Sequence, residues 1–432
     1  MNSLLFLKTF IKARWFAPKT EEALLFRQEK LWQEQIAFMQ KESPYFREHG
    51  FSEVFLMDKA FMMENFDQLN TVGMTKDKAF ALAQQEEESR QFTQHEAGLA
   101  VGLSSGTSGN RGIFLTQEKE RVIWAATILA KVLPQGKLFP HKIAFFLRAD
   151  NKLYQTVDSP LLSLAYFDME RDLSTHIQRL NDLQPSILVA PASVLLQLAH
   201  LQSKNQLSLA PQKVISVAEI LEDGDRKVIQ AAFKQEVIHQ IYQATEGFLG
   251  YTCPQGTLHL NEDALIIGQE WLDDKRFYPI ITDLLRKSQP IINYRLNDIL
   301  QIKEETCPCG SPFMAIEKIE GRSDDLFFGE KRDGNVALIY PDFIRRCFLQ
   351  SGFEGDYQVR QLSLDQLDLG LSHFDKKEDL EQAFQSLAAL QEFKPFTLQF
   401  SAYSKPQKQK LRRIIQAMPK EKVKECYEKS IN

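Results

Sequence analysis

The pattern of apolar and polar positions divides the chain into stretches of different character. Residues 21–94 are rich in Glu, Gln, Lys and aromatic side chains, and their spacing predicts helices. From about residue 142, short apolar runs indicate buried strands at 143–147, 186–190, 214–217 and 237–241. The stretches 173–183 and 223–233 lie between these runs and predict helices.

Strands that alternate with helices predict an α/β fold with parallel strands and right-handed crossovers. In such folds ligands bind at the carboxyl ends of strands. Past residue 321 the pattern predicts a loop over 329–334, strands over 357–364 and 396–400, and a helix through Leu380 and Leu390. We therefore expect a large N-terminal domain, residues 1–322, and a small α+β C-terminal domain, residues 323–432.

Size and composition limit the classes of protein that fit. At 432 residues, with 44% hydrophobic and 25% charged residues, the chain is typical of a globular protein with two or more domains. Its 52 basic and 57 acidic residues give a net charge of −5, so no nucleic-acid partner is expected. Residues 1–12 predict an amphipathic helix packed on the body, and no apolar run predicts a membrane span. The five cysteines, an odd number, favour a cytoplasmic location.

The most distinctive polar segment joins three glycines to hydroxyl side chains over Ser104-Ser105-Gly106-Thr107-Ser108-Gly109-Asn110-Arg111-Gly112. Glycine lets backbone N–H groups turn toward a phosphate, and Ser and Thr add donors beside them. The run over 122–128 predicts a helix whose N-terminus would favour the same anion. The segment matches neither the GxxxxGK[ST] nor the GxGxxG pattern, which disfavours a mononucleotide kinase or a Rossmann dehydrogenase. Taken alone, it is also typical of a plain connection.

Further polar clusters follow later in the chain. The segment 242–247 comes after a predicted strand and offers an aromatic ring for a base, a hydroxyl for a phosphate and a carboxylate for Mg²⁺. The segment 293–299 contains an aspartate suited to ribose hydroxyls, and the segment 320–325 lies where the second domain begins. Each cluster alone is also typical of a solvated turn or a helix cap.

In this order the motifs resemble those of the adenylate-forming superfamily of acyl-CoA synthetases, luciferases and nonribosomal adenylation domains, above all its phenylacetate-CoA ligase branch. That branch has SSGTTGKP, YRTRD and GRSDD where this chain has SSGTSGNRG, YRLND and GRSDD. The resemblance covers residues 95–415. It implies a large adenylate-forming domain of mixed and parallel sheets with helices, and a small mobile C-terminal α+β domain. The reaction implied is attack of a carboxylate on the α-phosphorus of ATP, with Mg²⁺, giving an acyl-adenylate and pyrophosphate.

The resemblance implies roles for individual residues. The nucleotide-binding residues it implies are Ser104, Ser105, Gly106, Thr107, Ser108, Gly109, Ala218, Glu219, Ile220, Tyr242, Asp298 and Arg322. Among these, Tyr242 would cover the adenine and Asp298 would accept from the ribose hydroxyls. Thr245 would contact the α-phosphate and Glu246 would bind Mg²⁺.

The end of the chain carries the other two implied roles. The segment 404–415 resembles the terminal motif of the family and makes Lys410 the adenylating lysine, with Lys405 and Lys408 as alternatives. Asp324 falls at the position of the family hinge, about which the small domain would rotate.

Departures from the family pattern leave the acceptor open. The segment 326–336 stands where relatives carry a short glycine-rich loop along the acceptor tunnel, which puts CoA in question. A thiol such as CoA is the first expectation, and the alternatives are a carrier protein, as in acyl-protein synthetases, or an amine, as in amide-forming ligases. Asn110 and Gln409 replace a usual lysine and glycine, so a nucleotide-binding protein without activity is a further alternative. The resemblance to this branch implies an aryl acid as the substrate.

Four residues form a possible zinc set. Cys253, His259, Cys307 and Cys309 supply three thiols and one imidazole, a combination that suits tetrahedral Zn²⁺ in a closed structural site. Similar Cys and His positions occur in the phenylacetate ligase branch. The alternative is that the thiols are ordinary buried residues, since CxC is tighter than the common CxxC spacing.

Overall fold

The protein is described from a computed structural model that covers residues 3–51, 55–89, 98–104, 111–136, 140–147, 162–169, 171–404 and 412–431. The chain folds into two compact units, which we call the large unit (Met1–Leu296 and Leu300–Lys318) and the small unit (Asn297–Ile299 and Ile319–Asn432). The domain boundary after residue 322 stays a prediction. The α/β class predicted from the alternating strands and helices is confirmed.

The N-terminal part of the large unit is helical, as its composition predicts. Its helices are α1 (Ser3–Trp15), α2 (Glu21–Glu42), α3 (Pro44–His49), α4 (Lys59–Glu64), α5 (Phe66–Leu69) and α6 (Lys76–Ser89). Helix α2 begins where the Thr20 hydroxyl accepts a hydrogen bond from the Ala23 N–H at 3.2 Å, a side-chain N-cap.

Helix α1 packs on the protein body, as predicted, against helix α7 (Glu118–Val132). Phe10 and Ala13 are buried in a cluster that includes Ala126 and Leu129. The Arg14 guanidinium donates to the carbonyls of residues 130, 133 and 134 at 2.7, 2.8 and 2.7 Å. These carbonyls lie at the C-terminus of α7, where the helix leaves acceptors without an internal partner.

A twelve-stranded mixed sheet dominates the structure. In the described residues its order is β10-β11-β13-β14-β9-β8-β7-β6-β5-β3-β4, and β12 pairs with β11. The strands are β3 (His141–Leu147), β4 (Leu162–Asp168), β5 (Ile187–Ala190), β6 (Lys213–Val217), β7 (Ile238–Ala244), β8 (Gly247–Thr252), β9 (Leu258–Leu260), β10 (Leu265–Trp271), β11 (Arg276–Asp283), β12 (Tyr294–Arg295), β13 (Asp298–Ile302) and β14 (Ala315–Arg322). Strands β3 to β7 pair in parallel, whereas β7 pairs antiparallel with β8.

Strand β5 is apolar throughout because helices cover both faces of the sheet around it. In β5, Leu188 and Ala190 belong to one hydrophobic cluster, and Ile187 and Val189 belong to another. The alternation of β side chains thus feeds two cores at once, which explains the unbroken apolar run in the sequence. The covering helices are α8 (Ile177–Leu183), α9 (Ala192–Ser203) and α10 (Asp223–Phe233) on one face and α1 and α7 on the other.

The small unit has an α+β architecture of its own. It contains a hairpin, β15 (Phe327–Glu330) and β16 (Val336–Ile339), and a four-stranded sheet in the order β19-β18-β17-β20. The strands of that sheet are β17 (Tyr357–Gln361), β18 (Gln366–Leu371), β19 (Thr397–Ala402) and β20 (Ile414–Gln416). The helices of the unit are α11 (Pro341–Ser351), α12 (Lys377–Leu390) and α13 (Lys420–Ile431), and α13 packs on the hairpin. The predicted loop over 329–334 begins inside β15, and the strand predicted to residue 364 ends at Gln361.

Among the described residues, we find no helix that combines the length and apolar content needed to cross a bilayer.

Candidate active site

The segment after β6 contains a strained turn. Ala218 has a φ of 64°, and the Glu219 N–H bonds the Val217 carbonyl at 2.8 Å, which makes a γ-turn with a left-handed central residue. The Glu219 carboxylate then accepts from the Ser193 N–H at 3.0 Å, at the N-terminus of α9. Such strain persists only where surrounding contacts fix it, and it is enriched at ligand sites. The predicted adenine segment 218–220 therefore lies in a constrained turn at a strand end.

The next strand of the sheet, β7, ends beside that turn. Val217 pairs with Ile241, so the turn at Ala218 follows β6 at the level where Tyr242 continues β7. Thr245 and Glu246 form the tight connection from β7 to β8, and the Thr245 hydroxyl donates to the Glu246 carboxylate at 2.9 Å. We call residues 218–220 and the residues Tyr242, Thr245 and Glu246 the strand-end site. All of these predicted residues are brought together at the carboxyl ends of two parallel strands, as the α/β rule requires.

Two side chains outside the predicted set face Glu246 and Gly247. The Tyr294 hydroxyl donates to the Glu246 carboxylate, and burial together with that negative charge raises the pKa of Tyr294. A Cβ atom added at Gly247 would lie 3.3 Å from Asp283 Oδ2, so the glycine leaves space for this second carboxylate. Burial raises the pKa of Asp283, although the N–H of Leu285 and the nearby Arg286 oppose the change.

Arg286 joins this turn to the hairpin that carries the predicted phosphate loop. Its guanidinium donates to the Thr245 carbonyl at 2.8 Å, to Gln289 Oε1 at 3.0 Å and to the Leu115 carbonyl at 3.3 Å. Leu115 lies in β2 (Ile113–Thr116), which pairs with β1 (Ala100–Leu103). Gln289 also binds β2, because its amide accepts from the Leu115 N–H at 2.9 Å. One buried arginine thus fixes two predicted nucleotide-binding segments relative to each other.

The predicted phosphate loop connects β1 to β2. Its residues 105–110, which include Ser105, Gly106, Thr107, Ser108 and Gly109, lie outside the described residues. At its base the Ser104 N–H bonds the Gly112 carbonyl at 2.7 Å, and the Gly112 N–H bonds Ser104 Oγ at 2.8 Å. The loop is therefore anchored in a β-hairpin at both of its ends.

The expected role for the helix N-terminus after the loop is not supported. Helix α7 begins at Glu118, and its Glu120 carboxylate accepts from the Gln117 N–H at 2.6 Å in a capping box. The same carboxylate accepts from the N–H groups of Lys287 and Ser288 at 2.5 and 2.7 Å. Because a protein carboxylate already satisfies this helix end, the α7 dipole favours Glu120 rather than a bound phosphate.

The small unit holds the other predicted nucleotide residues. Asp298 at the start of β13 lies 3.4 Å from the Nε of Arg322 at the end of β14, so the predicted ribose carboxylate and its arginine form an ion pair. Asp324 lies in the 3₁₀ turn Ser323–Asp325, and the neighbouring Asp325 forms an ion pair with Arg412. The predicted lysines Lys405, Lys408 and Lys410 fall outside the described residues.

The predicted zinc set forms a compact group in the large unit, which we call the thiol cluster: Cys253, His259, Cys307 and Cys309. Their ligand atoms all lie within 4.8 Å of one another. The Cys253 and Cys307 sulfurs are 3.7 Å apart, and the Cys309 sulfur is 3.4 Å from His259 Nε2. Tetrahedral zinc with ordinary bond lengths needs edges of about 3.8 Å and about 3.6 Å for these two pairs. The donor atoms therefore fit a zinc ion.

The backbone around the thiol cluster is built from two matching turns. Residues 253–256 and 307–310 each read Cys-Pro-X-Gly, and in each the Gly N–H bonds the Cys carbonyl, at 3.0 and 3.1 Å. The two glycines, Gly256 and Gly310, have φ values of 87° and 71°, which other residues rarely adopt. His259 Nδ1 bonds the Phe313 carbonyl at 2.8 Å, which leaves Nε2 facing the sulfurs.

Proton binding at the thiol cluster also suits a metal. Burial opposes the charged form of His259, but hydrogen bonds with Cys253 and Cys307 raise its pKa to about 9. Burial likewise opposes the Cys307 thiolate, whereas hydrogen bonds from Thr257 and the Cys309 N–H lower the pKa of Cys307 to about 6. A thiolate is the form of cysteine that binds metals, and metal binding would release the histidine proton.

Comparison with known sequences finds limited similarity. No family model matches the chain. It is 25% identical over 227 residues to an indoleacetate–lysine synthetase from Pseudomonas savastanoi, and the match covers 48% of this chain and 55% of that protein. The chain thus spans about half the length of this curated relative.

Solved structures match over much more of the chain. A 2-hydroxyisobutyryl-CoA ligase in the postadenylation state, in complex with R3-HIB-AMP, aligns with a TM-score of 0.67 and 16% identity over 94% of this chain and 91% of that one. The fold is that of the adenylate-forming ligases. An anthranilate-CoA ligase in complex with anthranoyl-AMP shares this adenylate-forming fold, with a TM-score of 0.51 and 12% identity over 73% of this chain and 66% of that one. The narrower likeness to the phenylacetate-CoA ligase branch stays a prediction.

Within the adenylate-forming fold, three residues of the site were not given a role by the sequence analysis. Tyr294 belongs to the quoted YRLND motif, so its position was noted without a function. Asp283 and Arg286 carry no local signal in the sequence. They are recognisable only because the fold brings residues 283–289 against β2 and the β7–β8 turn.

Proposed function

We propose that this protein activates a carboxylic acid with ATP, forming an acyl-adenylate and releasing pyrophosphate. The observation that carries the proposal is the strand-end site, where the Glu246 carboxylate is held by Thr245 and Tyr294 beside the strained turn at Ala218. The adenylate-forming fold supports the same chemistry. A carboxylate, a hydroxyl and a buried aromatic ring at two adjacent strand ends match what a nucleotide with Mg²⁺ requires.

In the proposed reaction the acid's oxygen attacks the α-phosphorus, and the bond from that phosphorus to the pyrophosphate oxygen breaks. Thr245 would donate to the α-phosphate, and Tyr242 would lie against the adenine. The protein's work is to align two anions and to stabilise charge on the phosphoryl oxygens. The residues that would hold Mg²⁺ are Glu246 and Asp283, and the ion would supply positive charge to the phosphates.

The small unit carries the remaining residues that we assign to the reaction. We propose that Asp298 accepts from the ribose hydroxyls, with Arg322 paired to it, and that Lys410 provides the cation for adenylation. Asp324 would serve as the hinge between adenylation and acyl transfer. A single 3₁₀ turn such as Ser323–Asp325 is short enough for a few φ/ψ changes to reorient the chain beyond it.

For the second half-reaction we propose a thiol acceptor such as CoA. The 2-hydroxyisobutyryl-CoA ligase and the anthranilate-CoA ligase, which share the fold, support this choice. The curated relative, whose name joins an acid to lysine, favours an amine instead. A carrier protein is the third acceptor class. We also propose that the protein works in the cytoplasm. Acid-dependent pyrophosphate release with CoA, with amines and with no acceptor distinguishes these possibilities.

The decisive experiment is exchange of labelled pyrophosphate into ATP with a panel of aryl and fatty acids. Wild-type protein should show acid-dependent exchange, which Glu246→Gln and Lys410→Ala should each reduce by roughly 10²–10³-fold. Lys410 would stabilise charge that develops on the phosphoryl oxygens, and Glu246 would hold the Mg²⁺ that does the same. Lys405→Ala and Lys408→Ala, at the two alternative lysines, should retain exchange, and loss of exchange in either would move the adenylating role to that lysine. A wild-type protein that binds ATP but exchanges no pyrophosphate with any acid would instead be a nucleotide-binding homologue without activity.

We also propose that the thiol cluster binds one structural Zn²⁺. Its support is the fit of the two measured edges to a tetrahedral ion and the pair of Cys-Pro-X-Gly turns. Four protein ligands would leave no open coordination position, so the metal would stabilise the large unit and take no part in adenylation.

A further inference from the structure

Helix α1 carries an exposed apolar stripe in addition to the face that packs on α7. Phe10 and Ala13 belong to the packed face and are buried. The stripe, which we call the α1 stripe, consists of four large apolar side chains that are 62, 53, 36 and 51% exposed: Leu4, Leu7, Ile11 and Trp15. Their spacing of three, four and four residues places them along one side of the helix. At a rise of 1.5 Å per residue, the stripe is about 17 Å long.

Two aromatic side chains stand at the end of the stripe. The Trp15 ring meets the Phe10 ring edge-on with the centroids 6.0 Å apart, so the packed face holds this half-exposed tryptophan in place. Phe16 follows it at 70% exposure, and the Phe16 carbonyl accepts from the Arg27 guanidinium at 3.4 Å. Exposed apolar side chains are ordinary when scattered, but five large ones within residues 4–16 indicate an interaction surface.

The charges beside the α1 stripe are positive. Residues 3–20 contain no Asp or Glu and four basic residues: Lys8, Lys12, Arg14 and Lys19. The three lysines are exposed. Lys8 follows Leu4 by four residues and Lys12 precedes Trp15 by three, so both lysines border the stripe.

Helix α2 places further charges near these lysines. Burial and the positive charges of Arg27 and Lys30 lower the pKa of Lys12, and the Glu34 and Asp263 carboxylates oppose the change. The basic residues of the two helices therefore lie close enough to act together on one anionic surface.

The charge and the shape of this face favour an anionic lipid surface over a folded partner protein. Residues 3–34 hold six basic and four acidic side chains, so this region is positive in a chain whose net charge is −5. A stripe along one helix is a ridge, and a fluid bilayer interface accepts a ridge without a complementary groove. Lysine stems can extend from such a ridge to lipid phosphates, and tryptophan favours the boundary between headgroups and acyl chains.

We propose that the exposed face of α1 binds the surface of an anionic membrane, with the α1 stripe in the headgroup region and Lys8 and Lys12 against lipid phosphates. The helix would lie in the plane of the interface and remain packed on α7, so binding requires no unfolding. The inference goes beyond the proposed function. Vesicle binding needs neither ATP nor an acid, so its failure would leave the proposed adenylation untouched.

The test is sedimentation of the full chain with vesicles of equal parts phosphatidylglycerol and phosphatidylcholine, compared with vesicles of phosphatidylcholine alone. Wild-type protein should sediment with the anionic vesicles and much less with the neutral ones, and added salt should weaken the binding. Leu7→Glu should weaken binding to anionic vesicles by about tenfold or more, because it places a carboxylate within the stripe. Lys8→Gln combined with Lys12→Gln should weaken it by about tenfold to thirtyfold, the effect of two charges lost near a membrane surface.

Matched controls place the same changes elsewhere on the surface. Leu349→Glu introduces a carboxylate at a leucine of α11 that is 65% exposed, and it should bind vesicles as wild type does. Lys420→Gln combined with Lys424→Gln removes two exposed lysines of α13 that are also four residues apart, and it should have no effect either.

Trp15 provides a second measurement. Anionic vesicles should shift the tryptophan emission of wild-type protein to shorter wavelength, and Trp15→Phe should still sediment with the vesicles but lose most of that shift. A full shift in Trp15→Phe would overturn the inference. Equal sedimentation of wild type and Leu7→Glu would also overturn it, as would equal binding to anionic and neutral vesicles. Absence of binding to either kind of vesicle would do the same, and dimers that Leu7→Glu dissociates would then identify the stripe as an interface between two copies of the chain.

Discussion

Replacing Arg286 with methionine tests whether one side chain holds the two halves of the candidate site together. Arg286→Met retains an unbranched apolar stem and removes the guanidinium. The Thr245 carbonyl loses its guanidinium donor. The Leu115 carbonyl and Gln289 Oε1 each lose one of two donors, because the Ser288 hydroxyl and the Leu115 N–H still bind them. Because Arg286 is only 7% exposed, water cannot readily replace it.

The expected cost follows from these contacts. Leaving a buried acceptor unsatisfied costs about 1–3 kcal/mol, and losses within one network are not additive. One unsatisfied acceptor and two weakened ones should lower the free energy of unfolding by about 2–4 kcal/mol, a large part of the 5–15 kcal/mol that is typical of a folded domain. The pKa of Asp283 should also rise further, because Arg286 is one of the groups that lower it.

Urea unfolding measures the loss of stability, and pyrophosphate exchange per folded molecule measures the effect on the candidate site. Exchange should fall well beyond the loss of folded protein, since Thr245 and β2 lose their common anchor. The matched control is Arg14→Met, which also removes three guanidinium hydrogen bonds, in this case all to backbone carbonyls at the C-terminus of α7. It should lose stability and keep its exchange rate. The reasoning is refuted if Arg286→Met unfolds within about 1 kcal/mol of wild type, or if Arg14→Met loses exchange to the same degree.

Two further predictions concern the metal and the pH dependence of stability. Purified protein should contain about one zinc per chain. A chelator or Cys309→Ala should remove the metal and lower the thermal midpoint by roughly 5–15 °C, whereas the control Cys426→Ala should retain the metal. Zinc-free protein that does not take up zinc would contradict the site. Burial and the nearby Arg14 lower the pKa of Lys213 from 10.5 to about 8, although Cys253 opposes this change. Because the unfolded chain then binds the proton more tightly, the free energy of unfolding should rise between pH 8 and pH 10.5. Lys213→Met should remove that rise and increase the free energy of unfolding at pH 7 by up to about 3 kcal/mol. Parallel pH profiles of wild type and Lys213→Met in urea unfolding would refute this prediction.

The parallel half of the sheet and its helices can be predicted from sequence because their signals are local. Strand β5 is enclosed on both faces, so it is a continuous apolar run, and helix α10 has the predicted bounds, Asp223–Phe233. The antiparallel half gives weaker signals. Strand β11, for example, contains Pro279 and a mixture of polar and apolar residues, and its place depends on partners distant in sequence.

The residues of the candidate site likewise differ in how well they can be predicted from sequence. Tyr242, Thr245 and Glu246 are predictable because they follow a recognisable strand, and their motif has a characteristic order of side chains. Arg286 reaches Leu115 across 171 residues, and Asp283 lies against Gly247 of the β7–β8 turn. Neither contact has a periodicity or a spacing that a sequence reader could detect. Only the folded chain reveals them.

The contact between Arg14 and the end of helix α7 can form only long after Arg14 has been synthesised. The arginine is synthesised 116 residues before the first carbonyl that it binds. At about 5–20 residues per second, a ribosome needs roughly 6 to 23 s to cover that interval. During this time α1 exposes Phe10 and Ala13, the residues that later contact α7, to whatever surrounds the nascent chain. Helix α1 therefore emerges before α7 and reaches its packed position only after α7 has been made.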